Sequence, residues 1–465
     1  MAARPLIILG GGLSGLAAGI RHARFGLPTV ILERHCRIGG LNSYYYRHGR
    51  LFETGLHAMT NFAPRGAKSR PLNILFRQLK LSRKSFVTHE QVGSEVVFPE
   101  QDLCFSNDID LLRAEISRKF PASAAGFESL INAVRDYDPF LPRPALSSRR
   151  RLSAFLPDPL LVDMLLWPLM VYGNSQEHDM DWSQFVIMFQ ALFLEGFFRP
   201  AGTIKDFLDL LLAHYLNLGG EIRMEAEVSA LKVQGCRIKT VRLNSGGDMA
   251  ADKVISTLGV PATMALLADS LPGRPADYQG RMSFVESIFV LPTAALEALP
   301  KRTCIFYNNH RRFDYCRPAE LVDYGLGVIN FPANFKGLSP HDTAQIRVTH
   351  PANYRLWRQL DSGRGTKRSP AYKAAKAEAV ARCQAAAGEI IGNFPENIVY
   401  QDTFTPLTIE RYSAKAQGAV YGSPLKIKDG RTNYDNLFIA GTDQGYLGIV
   451  GAMLSGVTMV NQHIL

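Results

Sequence analysis

Three glycines in "GGGLSGLAAGIRHARFG", Gly10, Gly12 and Gly15, stand in G-x-G-x-x-G spacing directly after the apolar run "PLIILG". Each has a physical task at a phosphate. Gly10 permits a tight turn, Gly12 lets a pyrophosphate approach the backbone, and Gly15 lets the following helix lie close on a sheet. Leu13 and Ser14 open that helix, whose unpaired N–H groups and partial positive charge would face the phosphates. After "FGLP", the run "TVILE" reads as a second strand ending in Glu33, with Arg34 next. An acid there accepts hydrogen bonds from both ribose hydroxyls of an adenosine and repels a 2′-phosphate, which argues against an NADP-type ligand. These residues predict a dinucleotide cradle on a βαβ unit; a βαβ unit that binds nothing is the bland alternative.

The elements that must position this cradle belong to a chain of 465 residues, long enough for two interwoven domains. Composition is that of an ordinary folded protein, 46% hydrophobic and 20% charged. The formal net charge of +10 suits an anionic surface such as lipid headgroups, nucleic acid or a phosphorylated ligand. Six scattered cysteines, Cys36, Cys104, Cys236, Cys304, Cys316 and Cys383, form no CxxC pair and no zinc-type spacing. They predict free thiols, a reducing compartment and no metal. "MAARPLIILGGG" runs straight into the first motif without room for a cleaved leader. No window reaches the roughly 18 apolar residues of a membrane span, so membrane contact is expected to be peripheral.

A second glycine pair, Gly39 and Gly40, follows Glu33 in "LERHCRIGGLNSYYYRHGRLFETGLHAM". The pattern E-x-x-x-x-x-G-G resembles the FAD-binding signature of the amine oxidase and phytoene desaturase superfamily. Amine oxidases usually carry arginine after the pair, whereas this chain has Leu41 and Asn42, which shifts weight toward the polyene-acting branch. The terminal "NLFIAGTDQGYLGIVGAMLSGVTMVNQHIL" reads as a strand, a glycine-rich turn at Gly441 and a helix with apolar residues at helical spacing. It resembles the superfamily's terminal FAD motif. That resemblance implies Asp443 as the acid contacting ribityl or pyrophosphate, with Gly448, Ile449, Val450 and Gly451 lining the flavin. It also implies a backbone contact from Val228 to the adenine, and places Gly55 and His57 near the flavin. "TFTPLTIERYSAKAQGAVYG" matches a segment common to carotenoid desaturases, carotenoid isomerases and retinol saturases.

The implied architecture is α/β: a Rossmann-type FAD-binding domain, glutathione reductase/amine oxidase-like, interwoven with an α+β substrate domain. The FAD domain is expected from 1–65, 200–265 and 400–465, and the substrate and membrane-contact domain from 66–199 and 266–399. A second G-x-G-x-x-G for a nicotinamide is missing, so electrons would pass to an external acceptor such as oxygen or quinone. Arg149 to Arg151 precede an apolar stretch with Trp167 and Tyr172, and a second basic segment interleaves Ile74, Leu75, Leu79 and Leu81. Both read as a monotopic membrane patch, or as core helices beside solvated charges. Basic residues without a recognised nucleic-acid module make nucleic acid an unfavoured partner.

The resemblance implies hydride transfer between flavin N5 and an activated C–H of a long apolar isoprenoid or polyene, in a cytoplasmic, peripherally membrane-associated enzyme. His57 and Glu53 are the candidates for acid–base work, against a packing histidine and a backbone-binding carboxylate. Glu195, an acid in the apolar "FQALFLEGFF", would suit proton transfer if its pKa is raised, and otherwise is a paired structural carboxylate. Arg411 and Tyr421 are expected to organise the domain junction. The rival readings are a flavin-dependent carotenoid cis-trans isomerase without net redox, a non-catalytic prenyl-lipid binding protein of the kind typified by Rab GDP dissociation inhibitors, and an amine oxidase.

Overall fold

The computed structural model describes residues 4–141, 143–267, 275–339, 341–361 and 368–465. The runs Leu6–Leu9 and Thr29–Leu32 are buried along their whole length, as parallel strands covered on both faces must be. They sit inside a five-stranded parallel sheet ordered Leu437–Ile439, Lys253–Ser256, Leu6–Leu9, Thr29–Leu32, Glu221–Arg223. One face packs on the helices Leu13–Ala23, Ile204–Asn217 and Gly448–Met459. The other packs on an antiparallel meander of Val228–Gln234, Arg237–Leu243 and Asp248–Ala250.

The first and last of those helices meet at a glycine. A side-chain carbon at Gly456 would overlap the Ser14 carbonyl oxygen and lie 3.0 Å from the Ala18 nitrogen. Gly456→Val is therefore expected to drive the helices apart and cost about 3 kcal/mol, at the upper end for overpacking. A urea midpoint that matches the unsubstituted protein would refute the close approach.

A seven-stranded mixed sheet forms the second layer system, ordered Tyr400–Phe404, Ser283–Pro292, Thr343–Ala352, Leu326–Asn330, Cys304–Asn308, Ser94–Val97, Asp102–Phe105. The stretch 400–465 thus serves both sheets. Along Ser283–Pro292 the period of two sends Val285, Phe289 and Leu291 into a core shared with the helix Pro370–Ile391. Phe284, Glu286 and Ile288 occupy the opposite face. Arg347 pairs in register with Ile288 and shares that face. Over much of it lies a helical cap made of Ile109–Lys119, Ala124–Asp136, Pro159–Gly173 and Trp182–Phe189.

The cap corrects one expectation. Trp167 is 0% exposed, and the Tyr172 hydroxyl donates to Asn330 Oδ1 at 3.1 Å, so Pro159–Gly173 is a core helix and not a membrane-facing one. In the other basic segment, the helix Pro71–Leu79 turns Leu75 and Leu79 onto the core around the terminal helix and leaves Arg77 exposed. In both stretches burying apolar area inside the protein outweighs presenting it to lipid. Among the described residues no helix is long and apolar enough to cross a membrane. All six cysteines are unpaired.

Candidate active site

The glycine turn is drawn tight by contacts that only glycine allows. Gly10 has φ +102°, and a side-chain carbon on Gly15 would overlap the Gly10 carbonyl oxygen. Gly12 begins the helix Leu13–Ala23 without any side-chain cap, so its first N–H groups keep their field for a ligand. Alongside, Gly39 N–H donates to the Gly11 carbonyl at 2.9 Å, and Gly12 pairs with Gly39 as an isolated bridge. The two glycine motifs therefore lie side by side. Glu33 is buried and accepts from the Gly11 N–H at 2.7 Å and the His35 N–H at 2.8 Å. Its carbonyl accepts from Ala226 N–H at 2.9 Å, which brings Val228 to the same end. Arg34 leans away to the Arg411 carbonyl at 2.9 Å.

From the glycines a second series of residues continues. Gly40–Asn42 form a short 3-10 turn whose Leu41 carbonyl accepts from Thr54 Oγ1 at 2.8 Å. Gly55 rests on that turn, where a side-chain carbon would come within 2.6 Å of the Leu41 oxygen. At the other chain end, Gly441 lies against Ser14. Gly448, with φ +71°, starts the terminal helix beside Thr60, and Ile449 and Val450 are buried behind it. Gly451 rests on Tyr446.

Asp443, the acid expected at the ribityl or pyrophosphate, is buried and held by backbone donors. Its Oδ2 accepts from Val260 N–H at 2.7 Å and its Oδ1 from Ser423 N–H at 2.8 Å, so the carboxylate ties three segments together. Burial opposes its charge, but Lys415, Lys426 and those two N–H groups outweigh it and hold the carboxyl below its usual range. Burial in turn pulls Lys426 down to about 8, against the attraction of Asp443.

Beyond Gly55 the structure assembles a charged group that sequence reasoning missed. His57 Nε2 meets Glu286 Oε2 at 2.8 Å. Arg347, wholly buried, donates from Nε to Glu286 Oε1 at 2.7 Å and makes a second, shorter bond to the same oxygen. Its guanidinium also reaches the Thr54 and Leu56 carbonyls, at 3.2 and 3.4 Å, which locks the loop bearing His57 onto the sheet. Burial works against charge on Glu286, but Arg347 and His57 prevail and hold the carboxyl at about 2 in place of its ordinary 4.5. A carboxylate behind an imidazole fixes its tautomer with the proton on Nε2 and leaves Nδ1 as the acceptor.

The remaining candidates separate by their partners. Glu53 pairs with Arg199 and accepts from the Ile204 N–H at 2.7 Å, capping Ile204–Asn217 in the backbone-binding arrangement. The Tyr421 hydroxyl donates to the Val171 carbonyl of the cap, and the Arg411 carbonyl receives Arg34.

Residues 13–285, more than half of the chain, match the flavin-containing amine oxidoreductase family. The chain belongs to that family. Among the family's relatives it is 22% identical to a 4,4'-diapophytoene desaturase (4,4'-diapolycopene-forming) of Methylomonas sp, over 75% of this chain and 73% of that one. It is 21% identical to the all-trans-retinol 13,14-reductase of Danio rerio, over 97% of this chain and 84% of that one. In fold it is similar to an oxidoreductase from Methanosarcina mazei, with TM-score 0.66 and 16% identity over 98% of this chain and 100% of that one. A putrescine oxidase with bound putrescine gives TM-score 0.61 and 15% identity over 98% of each chain.

A flavin cofactor fits what is present. The cradle of Gly12, Gly39 and Gly40 sets backbone against backbone: a side-chain carbon on Gly40 would lie 3.5 Å from Gly12, and one on Gly39 would come within 2.8 Å of the Asn42 carbonyl oxygen. Glu286 and Arg347 had a faint signal in the sequence, as single charges within the apolar strands "SFVESIFVLP" and "AQIRVTHPA". Isolated charges in such runs imply buried pairing. Which charges pair is set by strand register, which the sequence does not display.

Proposed function

We propose that the chain is an FAD-dependent oxidoreductase that moves a hydride between flavin N5 and an activated C–H of a long isoprenoid or polyene. FAD is supported by Glu33 at an adenosine end, paired glycine backbones for a pyrophosphate, and the Gly448 helix start for the ring system. One observation carries the substrate class. The sheet face bearing Glu286 and Arg347 also carries Asn330, Thr349 and Asp402, but toward the cap it meets aromatic side chains, with Tyr172, Phe197 and Phe306 in mutual ring contact at 5.2 to 6.5 Å. Such a wall excludes water and holds a hydrocarbon by area.

Bound FAD would supply hydride acceptance or donation at N5. His57, oriented by Glu286, takes or gives a proton at Nδ1. Arg347 keeps Glu286 ionised so that the imidazole stays oriented. The likeness to a desaturase and a retinol reductase supports a polyene and leaves either direction of hydrogen transfer open to the chain. The division into an FAD unit of 1–65, 200–265 and 400–465 and a substrate unit of 66–199 and 266–399 belongs to the same proposal. So does an external acceptor such as oxygen or quinone. Peripheral contact with an anionic membrane is supported by exposed Phe140, Leu141 and Leu146 among the exposed Arg143, Arg150 and Arg151.

The test is anaerobic addition of an acyclic carotene to the purified protein, followed by flavin absorbance and analysis of the recovered lipid. Bleaching with a newly formed double bond, or reoxidation of pre-reduced flavin with loss of one, is the expected result. Cis-trans change without net flavin reduction makes the protein an isomerase instead. A colourless protein that retains lipid makes it a carrier.

A further inference from the structure

A second polar line enters the site from the surface. The helix Trp182–Phe189 widens into a π turn over Gln190–Leu194, an irregularity found mainly at functional positions because it gives up regular hydrogen bonding. The turn delivers Glu195 into the core, with its side chain 0% exposed. Opposite stands Asn61 with φ +67°, a left-handed conformation that asparagine adopts more readily than most side chains. Here the Asn61 N–H donates to Ala191 O at 3.0 Å and the Phe62 N–H to Gly196 O at 3.2 Å, fastening the loop to the π turn.

The side chains then form an unbroken chain of hydrogen bonds. Asn61 Nδ2 donates to Glu195 Oε2 at 2.8 Å, and Thr60 Oγ1 donates to Asn61 Oδ1 at 3.2 Å. Thr60 Oγ1 lies 3.0 Å from where a side-chain carbon on Gly448 would project, at the first residue of the terminal helix. At the outer end Arg70 donates to Glu195 Oε1 at 3.4 Å. A cavity of about 190 Å³ lined by Arg70, Arg135, Gln190 and Leu194 adjoins it. The charged groups around Glu195 are Arg70, in contact, and Arg135, on the cavity wall; Asn61 and Gln190 add neutral hydrogen bonds.

We infer that Glu195 is a positioning residue for the flavin: its protonation state, relayed through the Asn61 amide, decides whether the Thr60 hydroxyl accepts from or donates to a flavin at the Gly448 helix start. The inference rests on the FAD reading above. With Glu195 ionised, Asn61 must turn its NH2 toward the carboxylate and its oxygen toward Thr60, so the Thr60 proton is taken and only its lone pairs are free. With Glu195 protonated, the acid donates to the Asn61 oxygen, the amide inverts, and its NH2 donates to Thr60, which frees the hydroxyl proton. A donor at the ring favours the electron-rich reduced flavin, whereas an acceptor opposes it. Burial raises the Glu195 pKa against the hydrogen bond from Asn61 and the charge of Arg70, which moves this switch toward neutral pH.

The test is the midpoint potential of the bound flavin as a function of pH, read by spectroscopic titration, for the unsubstituted protein and for Glu195→Gln and Thr60→Val. The unsubstituted protein is expected to show an inflection separating two limbs that differ about tenfold in the reduced-to-oxidised ratio, about 30 mV for a two-electron couple. Glu195→Gln should remove the inflection, and Thr60→Val should remove it while leaving Glu195 in place. If either variant binds flavin and keeps the inflection, the relay is overturned while the oxidoreductase reading stands. A failure of Glu195→Gln to fold leaves Thr60→Val to decide. Failure of the unsubstituted protein to take up FAD overturns the relay and the reading beneath it together.

Discussion

Gly15→Ala is expected to give a protein that purifies without flavin colour. The added carbon would overlap the Gly10 carbonyl oxygen and lie 3.2 Å from its carbon, and both are backbone atoms that no rotamer change can move. The helix Leu13–Ala23 must then lift from the glycine turn, and its N–H groups lose their aim at the pyrophosphate. A displacement that costs about 3 kcal/mol of binding weakens FAD affinity by about 100-fold. Equilibrium dialysis of the apoprotein against FAD measures this directly. Unchanged affinity would mean that the phosphates do not sit on this turn.

The second large effect is expected at Arg347. Arg347→Met leaves Glu286 buried without its cation, and removing one partner of a buried ion pair costs about 3–5 kcal/mol. The same loss takes a donor from the Thr54 and Leu56 carbonyls, so the attachment of the His57 loop to the sheet is left to the bond from His57 to Glu286. Urea unfolding of the variant reads the stability term. The pH dependence supplies the signature. Because Glu286 is held at about 2 in the folded protein against an ordinary 4.5, the unfolded chain binds the proton more readily. The stabilisation is therefore complete above pH 4.5 and is lost as pH falls toward 2. Arg347→Met should flatten that acid limb. A variant with the same acid limb as the unsubstituted protein would show that Arg347 does not set the Glu286 charge.

Legibility in the sequence follows the range of the interaction. Gly10, Gly12 and Gly15 constrain a turn through atoms only a few residues away, and Glu33 meets Gly11 through one crossover. Local spacing therefore carries that half of the site. The seven-stranded sheet is different, since Ser94–Val97 pairs in parallel with Cys304–Asn308, and Ser283–Pro292 pairs with Thr343–Ala352 and with Tyr400–Phe404. No local pattern states those partners, because a strand's periodicity specifies its face and not its neighbour. The apolar stretch around Trp167 shows the same limit. Its composition is equally suited to lipid or to a core, and only the arrival of the sheet face beneath it decided for the core.

What the sequence by itself determined is the family and the cradle of glycines with Glu33, since each rests on residue types required at short range; the packing of the terminal helix on the first one was decided by the tertiary structure. Only the tertiary structure decided which charges share a low-dielectric interior: Glu286 with Arg347 and His57, Glu53 with Arg199, and Glu195 with Asn61 and Arg70. It also decided that Asp443 accepts from the Val260 and Ser423 N–H groups. The physical reason is common to these cases. A buried charge is tolerated only beside its compensating partner, and in this fold that partner comes from another strand or loop, often far along the chain, so its identity exists only once the elements have packed.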